Sequence, residues 1–157
     1  MKRTIILRDS TLFFKGVTAD LKSPTRGDLS YMPGTTVYAD ALDADPTAEC
    51  APGIFFCRSL PEALKWAQQG TVVTVRPVGQ IVDTGTKLRA RAVEVIGIAS
   101  LTEADLVGAN LTSANLMRAN LAGTNLARAN LMGASLTDAN LTEACNIDKA
   151  LNVPKGA

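Results

Sequence analysis

The side chains best suited to chemistry are few, and their spacing is poor for it. The three cysteines, Cys50, Cys57 and Cys145, lack C-x-x-C spacing, and histidine is absent from all 157 residues. Ligands for a zinc ion therefore do not gather along the chain, and no Ser-His-Asp or Cys-His pair can form. Phosphate loops of the G-x-G-x-x-G or G-x-x-x-x-G-K-[ST] kind are missing as well. The cysteines are then expected to be small buried hydrophobes in a reducing compartment.

Two clusters of charge remain. Lys87, Arg89 and Arg91 alternate along a strand-like run and can meet phosphate, but alternation of that kind is expected of the solvated face of a strand. Asp40, Asp43, Asp45 and Glu49 lack the glycine and the terminal glutamate of a calcium loop and read as a polar loop. No catalytic, cofactor or metal residue is assigned, and no cofactor is expected.

The elements that would have to position such groups fall into two parts. Sixteen basic and fifteen acidic residues nearly cancel, and the hydrophobic content is 46%, so the chain reads as globular and advertises neither nucleic-acid binding nor an acidic surface. The apolar run after Met1-Lys2-Arg3 is only Ile5-Ile6-Leu7, too short for a signal peptide or a membrane span. A soluble, cytoplasmic protein without a membrane partner is expected. Every aromatic residue and six of the seven prolines precede residue 99, which marks a boundary near Ile98.

Beyond it the chain repeats with period five. Leucine occupies the centre of nine repeats, at Leu101, Leu106, Leu111, Leu116, Leu121, Leu126, Leu131, Leu136 and Leu141. Alanine sits two positions earlier, at Ala99, Ala104, Ala109, Ala114, Ala119, Ala129, Ala134 and Ala139, with Thr124 the exception. Five residues of α-helix advance about 500°, so helical leucines would form no common face. On a flat strand an odd period sends successive leucines to opposite faces. The leucines converge only if the chain bends once per repeat; with bends of about 90°, four repeats close one square turn. Residues twenty apart then stack at ~4.8 Å, which places Arg118 over Asp138, Asn110 over Asn130 and Asn120 over Asn140.

This A-[DN]-L-x-x pattern resembles that of the pentapeptide-repeat proteins. The resemblance implies a right-handed quadrilateral β-helix with the Leu and Ala columns inside, Asn near the corners and the last two positions of each repeat in solvent. Some long members of that family are DNA-like in size and charge and bind DNA gyrase. Nine repeats here make only about two turns, a rod of roughly 10 Å. The acids Glu103, Asp105, Asp138 and Glu143 are offset by Arg118 and Arg128, so gyrase mimicry is the weakest of the readings that stay open.

Residues 1–98 read as a small α+β domain. Strand-like runs are Thr4 to Leu7, Thr11 to Val17, Thr35 to Tyr38, Gly53 to Cys57, Thr71 to Arg76 and Leu88 to Ile96. Ser59-Leu60-Pro61-Glu62 reads as a capping box that opens a helix over Pro61 to Gln69, stopped by Gly70. Leu60, Ala63, Leu64 and Ala67 would face the sheet. Phe14-Lys15-Gly16-Val17, Cys50 to Cys57 and Ser59 to Trp66 resemble a domain that precedes repeats in phage and prophage proteins. Gly53-Ile54-Phe55-Phe56 with Ser59 and Ala63 is also similar to the G-I-Y-F…S…A segment of ADP-ribosyltransferases. The catalytic residues of that family do not carry over: Lys15 stands where it has an early His or Arg, Phe55 where it has a stacking Tyr, and Glu94 matches its glutamate only loosely.

The expected architecture is thus mainly β, an α+β domain over 1–98, a β-helix over 99–145 and a tail or cap over 146–157. The expected function is non-enzymatic protein interaction or assembly, phage-encoded and virion-associated if the N-terminal resemblance holds. A protein partner of unknown identity, homo-oligomerisation and no direct nucleic-acid binding go with it. The alternative is an effector whose N-terminal domain binds nucleotide or acts as a degenerate ADP-ribosyltransferase.

Overall fold

The computed structural model describes residues 11–24, 28–45, 47, 52–67, 69–85 and 87–150. The strand expected over Thr4 to Leu7, and Cys50, lie outside them. The architecture is mainly β, with strands β1 (Phe13–Gly16), β2 (Thr36–Tyr38), β3 (Ile54–Phe56), β4 (Val72–Asp83) and β5 (Leu88–Ile98), one short α-helix, α1 (Leu60–Leu64), and a 3-10 turn at Ile147–Lys149. Among the described residues no helix is long and apolar enough to cross a membrane.

The strands form one antiparallel sheet in the order β1-β4-β5-β2, with β3 also on β5. Its frame is the long β4–β5 hairpin. Sequence reading ends β4 at Arg76, before a proline that lacks the N–H of a ladder, yet the strand continues to Asp83. The reason is position: β1 covers only Val72 to Val75, so from Arg76 onward β4 has β5 alone as a neighbour, and a proline is tolerated on an edge. The pairing slips between Val78 and Ile81, where Gly79 takes a left-handed φ of +81°, the conformation of a glycine bulge.

The helix is shorter than its sequence signals. Ser59 stands at the N-cap with extended backbone, but its side chain makes no capping bond, and α1 ends at Leu64 instead of Gln69. A single turn carries too little helical cooperativity to extend itself. The residues after it are drawn elsewhere: Gln69 and Gly70 turn with left-handed φ, and the Gly70 N–H donates to the Asn115 carbonyl at 2.9 Å.

Two apolar clusters result. One lies on a single face of the sheet, around Phe13, Tyr31, Ile54, Phe56 and Val95, with Phe13 and Phe56 edge to face at 5.3 Å. The other starts on the opposite face at Cys57, Ala63, Leu64, Ala67 and Val72 and runs without interruption into the leucines of the period-five segment.

That segment returns to itself every twenty residues. Parallel bridges join Asp105 to Asn125, Asn110 to Asn130, Asn115 to Ser135, Asn120 to Asn140 and Asn125 to Cys145. Backbone bonds fill the interval: Leu106 N–H donates to Asn125, Leu111 to Asn130, Leu116 to Ser135 and Leu121 to Asn140, all at 2.8–2.9 Å. Each leucine carbonyl also accepts the N–H three residues later, from Ala104 on Leu101 to Ala144 on Leu141. The residue before that donor has positive φ in all nine turns, at Glu103, Gly108, Ser113, Arg118, Gly123, Arg128, Gly133, Asp138 and Glu143. A β-turn with left-handed φ only at its third position has the type II pattern. One such bend per repeat is what brings the leucines together.

Candidate functional site

The repeat segment presents a surface built from its own core outward. Leu106, Leu111, Leu116, Leu121, Leu126 and Leu131 are fully buried; Leu101 and Leu136 are buried, and Leu141 is half-buried near the last coil. Ala109, Ala114, Ala119, Ala129 and Ala134 are buried beside them, whereas Ala104 and Ala139 are half-buried. The polar residue before each leucine has a local task. Asp105, Asn110, Asn115, Asn120, Asn125, Asn130 and Asn140 each accept the N–H two residues on through Oδ1, at 3.0–3.2 Å. These Asx turns occupy N–H groups that the bend would otherwise leave to water.

Side chains also stack along the coil axis. Asn140 Nδ2 donates to Asn120 Oδ1 at 3.1 Å, and Asn146 Nδ2 to Asn125 Oδ1 at 3.1 Å. Arg118 Nε lies 3.8 Å from Asp138 Oδ2, both side chains about two-thirds exposed or more, so the pair supports register and adds little stability. Solvent-facing positions carry small or uncharged side chains over much of the surface, with Val107 and Met132 about half exposed.

The coil has two unlike ends. At the first, Gly70 lies so close that an added Cβ would meet Ala119 Cβ at 2.8 Å and Leu101 Cδ1 at 3.1 Å, and the Ala99 N–H donates to Val72. At the other, the inter-coil pattern stops. Leu106 to Leu126 each donate to the following coil, but among the described residues the N–H groups of Leu131, Leu136 and Leu141 have no such acceptor.

Of the residues compared with a transferase site, Lys15 and Phe55 are brought together and Glu94 is not. Lys15 Nζ donates to the Phe55 carbonyl at 3.0 Å and lies 4.9 Å from the centre of the Tyr31 ring. Burial lowers its pKa to about 8; the Cys57 thiol opposes that shift and the Lys87 charge adds to it. Glu94 instead pairs with Arg76 across β4 and β5 at 2.8 Å. Lys15 is in register with Val73, which pairs Ile98; Glu94 is two strands over from Lys15 and four residues, about 13 Å, further along β5.

The basic run departs from expectation. Arg91 is exposed, but Arg89 is fully buried, its Nη2 donating to the Asp45 carbonyl at 2.7 Å and its guanidinium carbon 5.3 Å from the Phe55 ring. What covers it is long-range: the segment around Leu42, Asp45 and Gly53 wraps over this part of β5. Gly53 leaves the space, since a Cβ there would lie 2.5 Å from Arg89 Cγ. The Asp45 carboxyl is held below its usual range by the Thr47 N–H and hydroxyl, which makes it part of a turn. Among the described residues no group of three His, Cys, Asp or Glu could hold a metal ion.

Lys87 stands out. Its Nζ is 3.4 Å from the centre of the Trp66 ring and 5.6 Å from that of Phe55. Sequence reading missed this cation–aromatic corner because α1 and the β4–β5 turn are joined only by the fold. The cysteines divide: Cys57 is buried and its thiol is pushed up to about 11, by burial first and by Glu62 next, so it stays protonated at neutral pH. Cys145 is exposed, contrary to the expectation of burial, because it stands at the residue before the turn, where Asn stands in other repeats and faces outward.

Neither the curated proteins nor the solved structures contain a match to this chain. Residues 99–116 and 114–145 match the family model of pentapeptide repeats, in 8 copies.

Proposed function

We propose that residues 99–145 form a right-handed, four-sided β-helix and serve as a non-enzymatic interaction and assembly module. The twenty-residue bridging interval, four bends per interval and one buried leucine per bend support that geometry. In this reading residues 1–98 are a domain that closes the first end through α1 and Gly70, and 146–157 are a tail or cap.

The observation that carries the functional reading is the second end. Ile147 and Ala150 pack against the leucine cluster at this end, but the coil donors at Leu131, Leu136 and Leu141 have no acceptor in a further coil among the described residues, and unpaired strand edges recruit other strands. The occupant proposed is a second copy of the chain, so the protein is a homo-oligomer that displays its flat outer faces to a protein partner. Phage or prophage origin, with virion association, fits an assembly role of this kind. Sedimentation velocity across micromolar concentrations tests it: a concentration-dependent mass above the monomer is expected, and a strictly monomeric mass overturns it. Incubation with labelled NAD tests the non-enzymatic part, for which neither transfer nor hydrolysis is expected.

A further inference from the structure

The corner formed by α1 and the β4–β5 turn is not used by the repeat surface, and its charge is lopsided. Lys15, Lys65 and Lys87 all act electrostatically on the Cys57 thiol, against Glu62 as the one acid that does so. None of the three lysines forms an ion pair among the described residues. Asp83, in the same hairpin turn, is already engaged by Arg58 at 2.7 Å and by the Gly85 N–H at 2.9 Å. An excess of ammonium groups over carboxylates attracts an anion.

The corner is also aromatic and held in place. Trp66 is 52% exposed, and Lys87 sits on its ring. Trp66 lies two residues after Leu64, which like Ala63 is fully buried, and its N–H donates to Ala63 at 3.0 Å. Lys87 is fixed by a reciprocal turn in which Thr84 N–H and Oγ1 donate to its carbonyl and its own N–H donates to Thr84 Oγ1. Backbone anchoring of both groups lowers the ordering cost of binding.

We infer that the Lys65, Trp66 and Lys87 corner binds a small anion carrying a planar ring, the chemistry of a nucleoside phosphate. The ring stacks on the exposed indole, and the phosphate lies between the two ammonium groups, where Lys87 keeps its contact with the indole. A single base fits better than a nucleic-acid strand, which is held by successive exposed rings. The other exposed aromatic among the described residues, Tyr38, is on β2 opposite Ala92, in another part of the sheet.

Trp66 is the only tryptophan in the chain, so its emission reports on this corner alone. Full-length protein is titrated with ATP, and separately with adenosine and with inorganic phosphate, while emission and melting temperature are followed. A saturable emission change and a higher Tm are expected with ATP, with weaker responses to either half of the molecule. Lys87→Gln and Lys65→Gln, both at solvent-reachable positions, should each weaken ATP binding about tenfold while leaving the ligand-free Tm nearly unchanged. The inference is overturned if ATP up to about 1 mM, the weak limit of useful affinity, changes neither signal. It is equally overturned if both variants bind as the parent does. A response to inorganic phosphate equal to that of ATP removes the ring from the site.

Discussion

The Thr124 hydroxyl donates to the Leu101 carbonyl at 2.9 Å, across two successive coils and wholly out of solvent. Thr124 is the one residue of its column that is not alanine. Its hydroxyl would be costly in an apolar core without a partner, and Leu101, near the first end of the coil, supplies one. Thr124→Val keeps the shape and removes the donor. The Leu101 carbonyl retains the Ala104 N–H at 3.1 Å, so a loss of about 1 kcal/mol is expected in urea unfolding. An unchanged midpoint would mean that the hydroxyl bond is not formed in solution.

The left-handed residue of each turn yields a prediction of opposite signs. Gly108 has φ +65° and open space where a Cβ would lie, so Gly108→Val tests backbone conformation without a clash. A loss of about 1–2 kcal/mol is expected. Arg128 has φ +58° and no ion pair among the described residues, so Arg128→Gly should gain about 1 kcal/mol despite deleting a whole side chain. Differential scanning calorimetry of both variants checks the pair, and a shift of the same sign in both would exclude the turn geometry.

Burial within the column grades the leucines. Leu121 is fully buried, whereas Leu141 is half-buried on the last coil. Leu121→Ala should cost about 2–5 kcal/mol as a core cavity, and Leu141→Ala clearly less. Equal losses in chemical denaturation would contradict the difference in packing.

Gly70 connects the sheet to the coil. A methyl group there would press on Ala119 and Leu101, and φ is already +67°. Gly70→Ala is therefore expected to cost about 2 kcal/mol or more, the sum of overpacking and backbone strain. Because one apolar cluster spans Leu64 and Leu106, the loss should appear in both parts of the chain. Hydrogen exchange at Val72 and at Leu116 would report it, and protection lost at only one of them would argue against a shared core.

How much of this was legible depended on range. The leucine column was readable because each repeat carries its own signal and the period permits one geometry. The left-handed fifth position was also written in the chain, as Gly108, Gly123 and Gly133 at one phase of the repeat, but Arg118, Arg128 and Glu103 in the same conformation hide it. Elsewhere local signals were overruled. Ser59 and Glu62 have the spacing of a capping box, yet Gly70 is pulled onto Asn115 and the helix stops after one turn. Alternation of Lys87, Arg89 and Arg91 says nothing about Gly53, which comes from far along the chain to cover Arg89. The Trp66–Lys87 contact lacks any sequence signature for the same reason.

The buried amine of Lys15 gives a pH dependence whose sign follows from its surroundings. Its folded pKa is about 8, against an ordinary value of 10.5, because burial disfavours the charged form. Between those two values the unfolded chain binds the proton and the folded chain does not, so stability rises with pH across this window. Below about 8 the amine is charged in both states and the full burial penalty applies. Lys15→Met removes the penalty but leaves the Phe55 carbonyl without its donor at every pH. The stability of the variant relative to the parent should therefore be greatest below pH 8 and fall as pH approaches 10.5, which pairwise urea titrations at matched ionic strength measure directly. A difference that stays constant with pH would mean that Lys15 keeps an ordinary pKa in the folded chain.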